Sequence, residues 1–365
     1  MKLEKGIKVI LCLLVFISCS KKEEVLTLKK GTAIITGKVI NLSEKTKTIR
    51  FAAGSTVKNI DQTALIDSAG NFKLEIELYH PQNVQGFFKK GFFKLFLRPT
   101  DSIHLVIDET VFVKERYPIF DIEGTSPDVD FSLALQKYLR FRGNRPFSPN
   151  AKGKTVKEFL DILQKEITKE DSVLVSFSKT MKVSDEFMDW VQKDIRYGVA
   201  TRLSSYKEAN DNTNGDEFDK SLFPINDDNA IVTSLYPLHL ETFAGNLGIS
   251  KDTVTQNLFQ KKKYSNAIPR CLNTIIGNVE KGLSRDIMCY KLLLILLDLS
   301  FEDYKIATQN LDTFIANETL KSVLLEKENE HKKQTALDIS FLYPQTIEEK
   351  GISGPFWKEL KSKNK

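Results

Sequence analysis

Between residues 32 and 127, apolar and polar side chains alternate along the chain. Phe72, Leu74 and Ile76 are separated by charged residues, which turns one face of a strand to a core and the other to water. Gly70 lies in the preceding turn, where its backbone is free to take a positive φ. Comparable short segments lie at 33–42, 48–52, 63–66, 92–97 and 103–107. This pattern predicts an antiparallel β-sandwich over residues 32–127.

After residue 128 the apolar positions follow helical spacing instead. Phe159, Leu163 and Ile167 recur every three or four residues, as on one face of a helix. Ser184 precedes a second run of this kind and has the side chain of a helix N-cap. These patterns predict an all-α helical domain over residues 128–335. The predicted fold class is therefore α+β, with an N-terminal antiparallel β-sandwich followed by an all-α domain.

The composition fits a globular protein and limits the choice of partners. Of 365 residues, 41% are hydrophobic and 28% are charged, which suits about two domains. The 53 basic side chains outnumber the 48 acidic ones by only five, so we predict no nucleic-acid partner. The final stretch, 336–365, contains prolines and lysines and is predicted to form a loosely ordered C-terminal tail.

The amino terminus has the pattern of an export signal. Three lysines in the first eight residues precede an uncharged run at 9–17, which is shorter than the about 20 residues of a spanning helix. Ser18-Cys19 then resembles the lipobox of bacterial lipoproteins, although Phe16 stands where that motif usually has leucine. The resemblance implies removal of residues 1–18 and acylation of Cys19. An ordinary signal peptide with an incidental cysteine is the alternative.

The residues after Cys19 indicate where in the cell the protein would be located. Residues 19–31 begin with a charged stretch and are predicted to form a solvated tether. Lys22-Glu23-Glu24 resembles the signal that sends some Gram-negative lipoproteins to the outer face of the outer membrane. A plain soluble linker is the alternative. We therefore expect a cell-envelope protein, lipid-anchored to the outer membrane and either periplasmic or surface-exposed.

Several segments together resemble the amino-terminal, non-catalytic region of TlpA-like lipoproteins, envelope thiol–disulfide oxidoreductases of the thioredoxin family. The resemblance extends over about residues 32–330. The segments are ITGKV at 35–39, GNFKL at 70–74, LRPTDSI at 97–103, IEGT at 122–125, PINDDN at 224–229 and KGLSRD at 281–286. Each is a weak structural signature by itself. The resemblance implies this architecture and an envelope location.

The resemblance does not imply the enzyme activity. In that family a thioredoxin domain with a Trp-Cys-x-x-Cys turn follows, whereas here 30 residues, 336–365, remain and no Cys-x-x-Cys occurs. A domain usually needs at least about 50 residues. We therefore predict no catalytic residues and a non-catalytic binding or scaffolding module. Another interpretation is that the chain is a shortened relative, whose catalytic half is encoded elsewhere or lost.

Cys271 and Cys289 carry the alternative, redox hypothesis. They are eighteen positions apart, so they are a possible disulfide if their helices are neighbours; two unpaired core cysteines are the other arrangement. A catalytic pair would need a lowered thiol pKa, and Arg270 is the only cation beside either residue. In this alternative the chain is a redox-active or accessory partner in envelope thiol–disulfide exchange.

No motif predicts a metal or a cofactor. The four histidines are widely spaced, and neither a phosphate-binding loop nor a dinucleotide fingerprint occurs. One dense aromatic cluster is predicted to be mostly core; any exposed ring would offer a patch to an envelope protein, a peptide or a glycan. Its members are Phe87, Phe88, Phe92, Phe93 and Phe96, with Lys89, Lys90 and Lys94 between them. The histidines are His80, His104, His239 and His331.

Overall fold

A computed structural model describes residues 26–43, 45–54, 56–115, 118, 120–124, 128–145, 147–210, 221–250 and 252–337. Within these ranges the strands come first and most of the helices follow, as the α+β prediction requires. The strands are β1 (Gly31–Ile40), β2 (Thr48–Ala53), β3 (Ile60–Leu65), β4 (Asn71–Leu78), β5 (Gln82–Phe88), β6 (Gly91–Leu97), β7 (Ser102–Asp108) and β8 (Asp121–Gly124).

The strands form two four-stranded sheets that share one core. The first sheet has the order β4-β1-β7-β8 and the second has the order β3-β2-β5-β6. Phe51 of the second sheet meets Phe72 of the first, with ring centroids 6.3 Å apart. The alternating apolar positions therefore face each other across the sandwich, as the sequence predicts.

One strand pair departs from the predicted antiparallel arrangement. β1 and β7 run parallel, with Ile34 opposite Ser102 and Ile40 opposite Asp108. Parallel neighbours need a long connection, and here the chain crosses to the second sheet and returns before β7 begins. The positive φ predicted for Gly70 is confirmed at 87°, where a Cβ would lie 2.3 Å from a carbonyl oxygen of β1.

The sequence missed three elements of this region. β5 and β8 were not predicted as strands, and a short helix, Glu109–Lys114, follows β7. β5 is buried on both faces along much of its length, so its side chains do not alternate in polarity. β8 has four residues, too few for a periodic pattern.

The helices from residue 128 onward match the predicted change in pattern. They include short 3₁₀ segments at Asp228–Val232 and Thr308–Asn310 and a π-helical turn at Asn246–Ser250. The α-helices are α1 (Glu109–Lys114), α2 (Asp128–Arg142), α3 (Val156–Thr180), α4 (Asp185–Ala200), α5 (Leu203–Asn210), α6 (Leu235–Gly245), α7 (Thr253–Gln260), α8 (Tyr264–Asn278), α9 (Leu283–Leu299), α10 (Phe301–Ala307), α11 (Leu311–Phe314) and α12 (Glu318–Leu337).

Local side-chain chemistry fixes where these helices begin. Ser184 caps α4, as predicted, by accepting the backbone N–H of Phe187 at 3.1 Å. Thr155 and Glu158 form a capping box that starts α3. Capping accounts for the starts of these helices, and their apolar faces then pack into the helical core.

Part of the predicted tether is packed against the body. Of residues 19–31, the described part begins at 26; Leu28 is buried in the helical core, and β1 begins at Gly31. The Lys29 N–H donates to the Tyr79 carbonyl oxygen at 2.7 Å. The prediction of a solvated tether fails at Leu28 because its side chain is apolar. Burying apolar surface lowers the free energy of the folded chain.

Candidate functional site

The predicted amino-terminal site lies outside the described residues. Cys19 and the predicted signal peptide 1–18 precede residue 26, so lipidation stays a prediction. The predicted C-terminal tail also lies outside, apart from its first two residues at the end of α12. None of the helices in the described part of the chain is long and apolar enough to cross a bilayer.

Cys271 and Cys289 lie in the helical core. Both are buried, and both are free thiols. The Cys271 Sγ donates to the Gly248 carbonyl oxygen at 3.3 Å, and a Cβ on Gly248 would lie 3.2 Å from this sulfur. Of the two arrangements that the sequence left open, the structure contains unpaired core cysteines and no bond between them.

The surroundings of these thiols disfavour exchange chemistry. Burial raises the pKa of each thiol to about 12. At pH 7 such a pKa leaves about one thiol in 10⁵ as the reactive thiolate. Arg270 is paired elsewhere, with its Nη2 2.7 Å from Asp252 Oδ2, and Asp252 itself raises the pKa of Cys271. The one cation that the sequence placed beside Cys271 therefore has its own partner.

The histidines are dispersed through the structure. Burial lowers the pKa of His80 and His239 to about 4, so both rings are neutral at pH 7. His104 turns away from the core and lies 2.9 Å, Nδ1 to Oγ1, from Thr36. His331 stacks on the first residue of α10 with ring centroids 4.9 Å apart. Throughout the described ranges, no group of three His, Cys, Asp or Glu side chains could hold a metal ion.

The aromatic cluster of β5 and β6 divides between two faces of the second sheet. Phe88 and Phe93 enter the sandwich core, as predicted. Phe87 and Phe92 are cross-strand partners on the opposite face and are only half-buried. The Arg50 guanidinium lies 5.4 Å from the centre of the Phe87 ring. We call these two rings the Phe87–Phe92 pair; it is the part of the cluster that solvent reaches.

The fifth ring of the cluster, Phe96, joins the sheet to the helices. It stacks on Phe131 of α2 with centroids 4.1 Å apart and meets Trp190 of α4 edge-on at 6.1 Å. Phe187 of α4 meets Phe131 at 5.2 Å. Aromatic pairs at such separations contribute about 0.5–1.5 kcal/mol each beyond the burial of their area. We call Phe96, Phe131, Phe187 and Trp190 the aromatic layer.

A group of polar side chains from α2, α3 and α4 lies beside the aromatic layer. The Arg142 Nε donates to Glu170 Oε2 at 2.6 Å, and the Tyr138 ring meets Phe187 at 6.2 Å. Among the described residues, the Tyr138 hydroxyl, Glu170 Oε1 and Asp194 Oδ1 have no hydrogen-bond partner. Burial raises the pKa of Asp194. Buried polar atoms of this kind are the usual sites of ordered water.

The turn between β6 and β7 brings four charged groups together at the same junction. The Arg98 Nε lies 3.0 Å from each carboxylate oxygen of Asp128, the first residue of α2. The same guanidinium donates to Glu186 in the first turn of α4. The Arg98 backbone N–H donates to Asp101 Oδ2 at 2.7 Å. Burial raises the pKa of Asp128, and the neighbouring carboxyl groups of Asp101 and Glu186 act in the same direction, against the charge of Arg98.

The backbone of this turn is strained at one residue. The Asp101 N–H donates to the Arg98 carbonyl oxygen at 3.2 Å, which closes the turn. Thr100 has a φ of 79°, an unusual value for a β-branched residue. Such conformations persist where surrounding contacts hold them. The four charged groups supply those contacts, and we call Arg98, Asp101, Asp128 and Glu186 the charged turn.

Two segments of the resemblance meet at the start of α9. Asp228, from 224–229, accepts the N–H groups of Leu283 at 3.0 Å and Ser284 at 2.8 Å, both in 281–286. Ser284 Oγ donates to Asp228 Oδ1 at 2.6 Å. Asp228 thus satisfies the free N–H groups that every helix start leaves. The contact is therefore structural: it holds the start of α9 against the segment at 224–229.

Comparisons with known proteins do not supply a family. No family model matches this chain, and a search of the curated proteins finds no match. The resemblance to the TlpA-like lipoproteins therefore stays a prediction. Any inference about the function of this chain therefore depends on the residues described above.

Proposed function

We propose that this chain is a lipid-anchored protein of the cell envelope, in which the sandwich and the helices act as a non-catalytic binding or scaffolding module. The observation that carries the proposal is Ser18-Cys19, placed directly after an uncharged run that follows three lysines. This is the order of parts that lipoprotein export and acylation require. The first partner of the protein would then be the bilayer that receives the lipid.

The lipid would hold the chain firmly to the membrane. Each buried CH₂ of an acyl chain contributes about 0.8 kcal/mol, and the proposed Cys19 would carry several chains. The acidic and basic residues at 22–24 support the outer membrane as the destination, with the body either periplasmic or surface-exposed. The attachment would need no membrane-spanning helix.

Metabolic labelling with a fatty-acid analogue tests the anchor. The wild-type chain should take up the label and sediment with membranes, whereas Cys19→Ala should lose the label. Cys12→Ala is the matched control, because Cys12 lies in the uncharged run and should be removed with it. Label that persists in Cys19→Ala would show that Cys19 is not the acylated residue.

The packing between sandwich and helices supports a scaffold. The aromatic layer joins them on one side. On another side, the Tyr290 hydroxyl of α9 donates to the Val57 carbonyl oxygen at 2.6 Å, and Thr319 Oγ1 of α12 donates to the Leu28 carbonyl oxygen at 3.0 Å. A body attached at two places presents its surfaces in a fixed relation, which a binding module needs because less ordering is required on binding.

The Phe87–Phe92 pair is the surface that best suits a partner. Partly exposed aromatic rings beside a cation favour the apolar faces of sugars and the side chains of peptides. Arg50 lies over one ring and is itself held by Asp61, with Nε 2.7 Å from Oδ1. The proposed partner is therefore an envelope protein, a peptide or a glycan.

A pull-down from detergent-solubilised envelope tests this surface. The intact lipoprotein is used as bait, beside a Phe87→Ala/Phe92→Ala double variant. Leu65→Ala is the matched control, since Leu65 lies on the same sheet and is 76% exposed. A partner retained by wild type and by Leu65→Ala, and lost by the double variant, is the expected result. Equal capture of the partner by all three baits would show that the partner binds a surface other than the Phe87–Phe92 pair.

The redox alternative has less support from the described residues. Cys271 and Cys289 are buried, and burial raises the pKa of both thiols, which makes them poor nucleophiles. Alkylation of the native chain followed by mass spectrometry separates the two functions. We expect no modification until the chain is unfolded. Rapid modification of either thiol in the folded protein would favour the redox function.

A further inference from the structure

The outer face of the second sheet presents two rows of side chains across its strands. Residues directly opposite each other in the register point to the same face of a sheet, so the strand pairing defines each row. The first row is Thr63, Arg50, Phe87 and Phe92. The second row is Asp61, Ala52, Gln85 and Lys94. All of these residues are at least partly exposed, and we call them the outer platform.

The second row places donors and acceptors beside the Phe87–Phe92 pair. Asp61 accepts hydrogen bonds, Lys94 donates them, and the Gln85 amide does both. A sugar ring has apolar C–H faces that pack on aromatic rings, and hydroxyl groups that both donate and accept. The second row lies about 7 Å farther along the strands, so a sugar on the ring pair would turn its hydroxyl groups toward Gln85 and Lys94.

The position of the ring pair within the sheet disfavours an extended peptide. A peptide that binds by strand addition needs an open sheet edge. The pair lies on β5, which is paired on both sides, and on β6. The outer edge of β6 is contacted by α2, where Ser132 Oγ accepts the Phe96 N–H at 2.9 Å. Recognition at the ring pair therefore depends on side chains, which suits a sugar.

The charge of the outer platform selects among sugars. Arg50 and Asp61 neutralise each other through two hydrogen bonds, Nε to Oδ1 at 2.7 Å and Nη2 to Oδ2 at 2.8 Å. Lys94 then leaves the platform with one positive charge. Burial raises the pKa of Asp194 in α4 despite the charge of Lys94, which disfavours a second negative charge here. A carboxylate on the ligand would complement Lys94.

We propose that the outer platform binds an acidic glycan, with sugar rings packed on the Phe87–Phe92 pair and a sugar carboxylate paired with Lys94. Gln85 and Asp61 would accept hydroxyl groups of the same chain of sugars. Four strands about 4.8 Å apart make the platform about 14 Å wide, which suits a short oligosaccharide. This inference rests on the proposed function and names the partner class of its binding surface.

Isothermal titration calorimetry of the purified full chain in non-ionic detergent tests the ligand class. The probes are an oligogalacturonate, a malto-oligosaccharide of the same length and an oligoglutamate, which stand for an acidic sugar, a neutral sugar and an acidic peptide. The oligogalacturonate should bind most tightly, and added salt should weaken it. Phe87→Ala/Phe92→Ala should lower its affinity by more than about tenfold, because aromatic anchors dominate such contacts.

The role of Lys94 is tested by the difference between the two sugars. Lys94→Gln should lower the affinity for oligogalacturonate by about two- to five-fold, the effect of one surface charge, and leave the neutral sugar unchanged. Lys73→Gln is the matched control and should change neither affinity, because Lys73 is 60% exposed on β4 of the other sheet. Gln85→Ala should weaken both sugars, which provides a second readout if Lys94→Gln does not fold.

Several outcomes would overturn the proposal. Tightest binding of oligoglutamate would favour a peptide partner, and tightest binding of the neutral sugar would remove the role of the Lys94 charge. Binding of none of the probes would also exclude the acidic glycan, as would equal effects of Lys94→Gln and Lys73→Gln. Lipid labelling and the envelope pull-down do not depend on these probes, so failure here is distinguishable from failure of the proposed function.

Discussion

Two contacts between the sandwich and the helices can be compared directly. The first is the aromatic layer with the charged turn beside it. The second lies at Lys30 and Glu77, whose Nζ and Oε2 are 2.8 Å apart; Lys30 also reaches Glu326 of α12 at 3.3 Å. We call this second contact the ion-pair contact. It includes the Tyr79 hydroxyl, which donates to Glu77 Oε1 at 2.7 Å.

The difference between the contacts concerns what weakens each of them. Stacked rings carry no net charge, so the aromatic layer should be insensitive to salt. The ion-pair contact is half-exposed and therefore screened by salt. It weakens toward acid, when Glu77 gains a proton. The two attachments of one body thus respond to different conditions: acid and salt weaken the ion-pair contact, whereas loss of buried aromatic surface weakens the aromatic layer.

The largest expected effect is on the aromatic layer. Trp190→Ala should lower the free energy of unfolding by about 3–5 kcal/mol, because the side chain is 2% exposed and its removal leaves a cavity. Phe141→Ala, on α2 but 46% exposed, should have a clearly smaller effect. Urea unfolding measures both. Equal effects would mean that the aromatic layer is not a major source of stability.

The next effect concerns the hydrogen bond between α9 and the sandwich. Tyr290→Phe should cost about 0.5–1.5 kcal/mol, and more if the Val57 carbonyl oxygen is left without a partner. Tyr206→Phe is the matched control, since it loses a 3.0 Å bond to the Lys154 carbonyl oxygen within the helical region. Hydrogen–deuterium exchange should increase at residues 56–59 in the first variant only. An increase there in both variants would contradict a local role for Tyr290.

The third prediction concerns acid. Burial raises the pKa of Glu77, but hydrogen bonds from Lys30 and Tyr79 and the charge of Lys58 outweigh burial and hold the pKa at about 2. The stabilisation by Glu77 is therefore complete above the ordinary pKa of 4.5 and is lost as the pH falls toward 2. Glu77→Gln should flatten the loss of stability over this range in urea titrations. Glu123→Gln, exposed on β8, should not.

The smallest effect is expected for Lys30→Gln. Its ion pairs with Glu77 and Glu326 involve a side chain that is 48% exposed. The expected loss is about 0.2–1 kcal/mol, decreasing further in about 0.5 M salt. Lys157→Gln should change nothing measurable, because the Lys157 side chain is 87% exposed and its partner Asp161, also in α3, is 58% exposed. A salt-independent loss of several kcal/mol would place Lys30 in a far less solvated contact than described.

The sequence predicts the elements whose faces differ in polarity. The alternation around Phe72 and the N-cap Ser184 are both confirmed, because each depends on residues close in sequence. The helical spacing of Ile306, Leu311 and Ile315 after Ser300 predicts a single helix, and this prediction is wrong in extent. Ser300 does cap α10, but that helix ends at Ala307, where a 3₁₀ turn and a separate short helix follow. A Thr308 hydroxyl that bonds back to a carbonyl oxygen accompanies this interruption.

The contacts of the candidate site required the tertiary structure. Phe96 lies on the opposite face of β6 from Leu95 and Leu97, which enter the sandwich core. An apolar ring at this position indicates that another element packs over the outer face of the sheet. Nothing in the sequence says which helix this is. Arg98 and Asp128 are thirty positions apart, and only packing brings them together.

If Cys19 carries a lipid as proposed, the docked segment at Leu28 would limit how far the body could lie from the membrane. The described chain starts at Leu26, seven positions after Cys19. Seven extended residues reach at most about 25 Å. A lipid on Cys19 would therefore be joined to the body by a short segment. That segment would meet the body beside α12, where Thr319 donates to the Leu28 carbonyl oxygen. The side of the body around Leu28 would then stay within about 25 Å of the bilayer surface, which leaves the opposite side open to a partner.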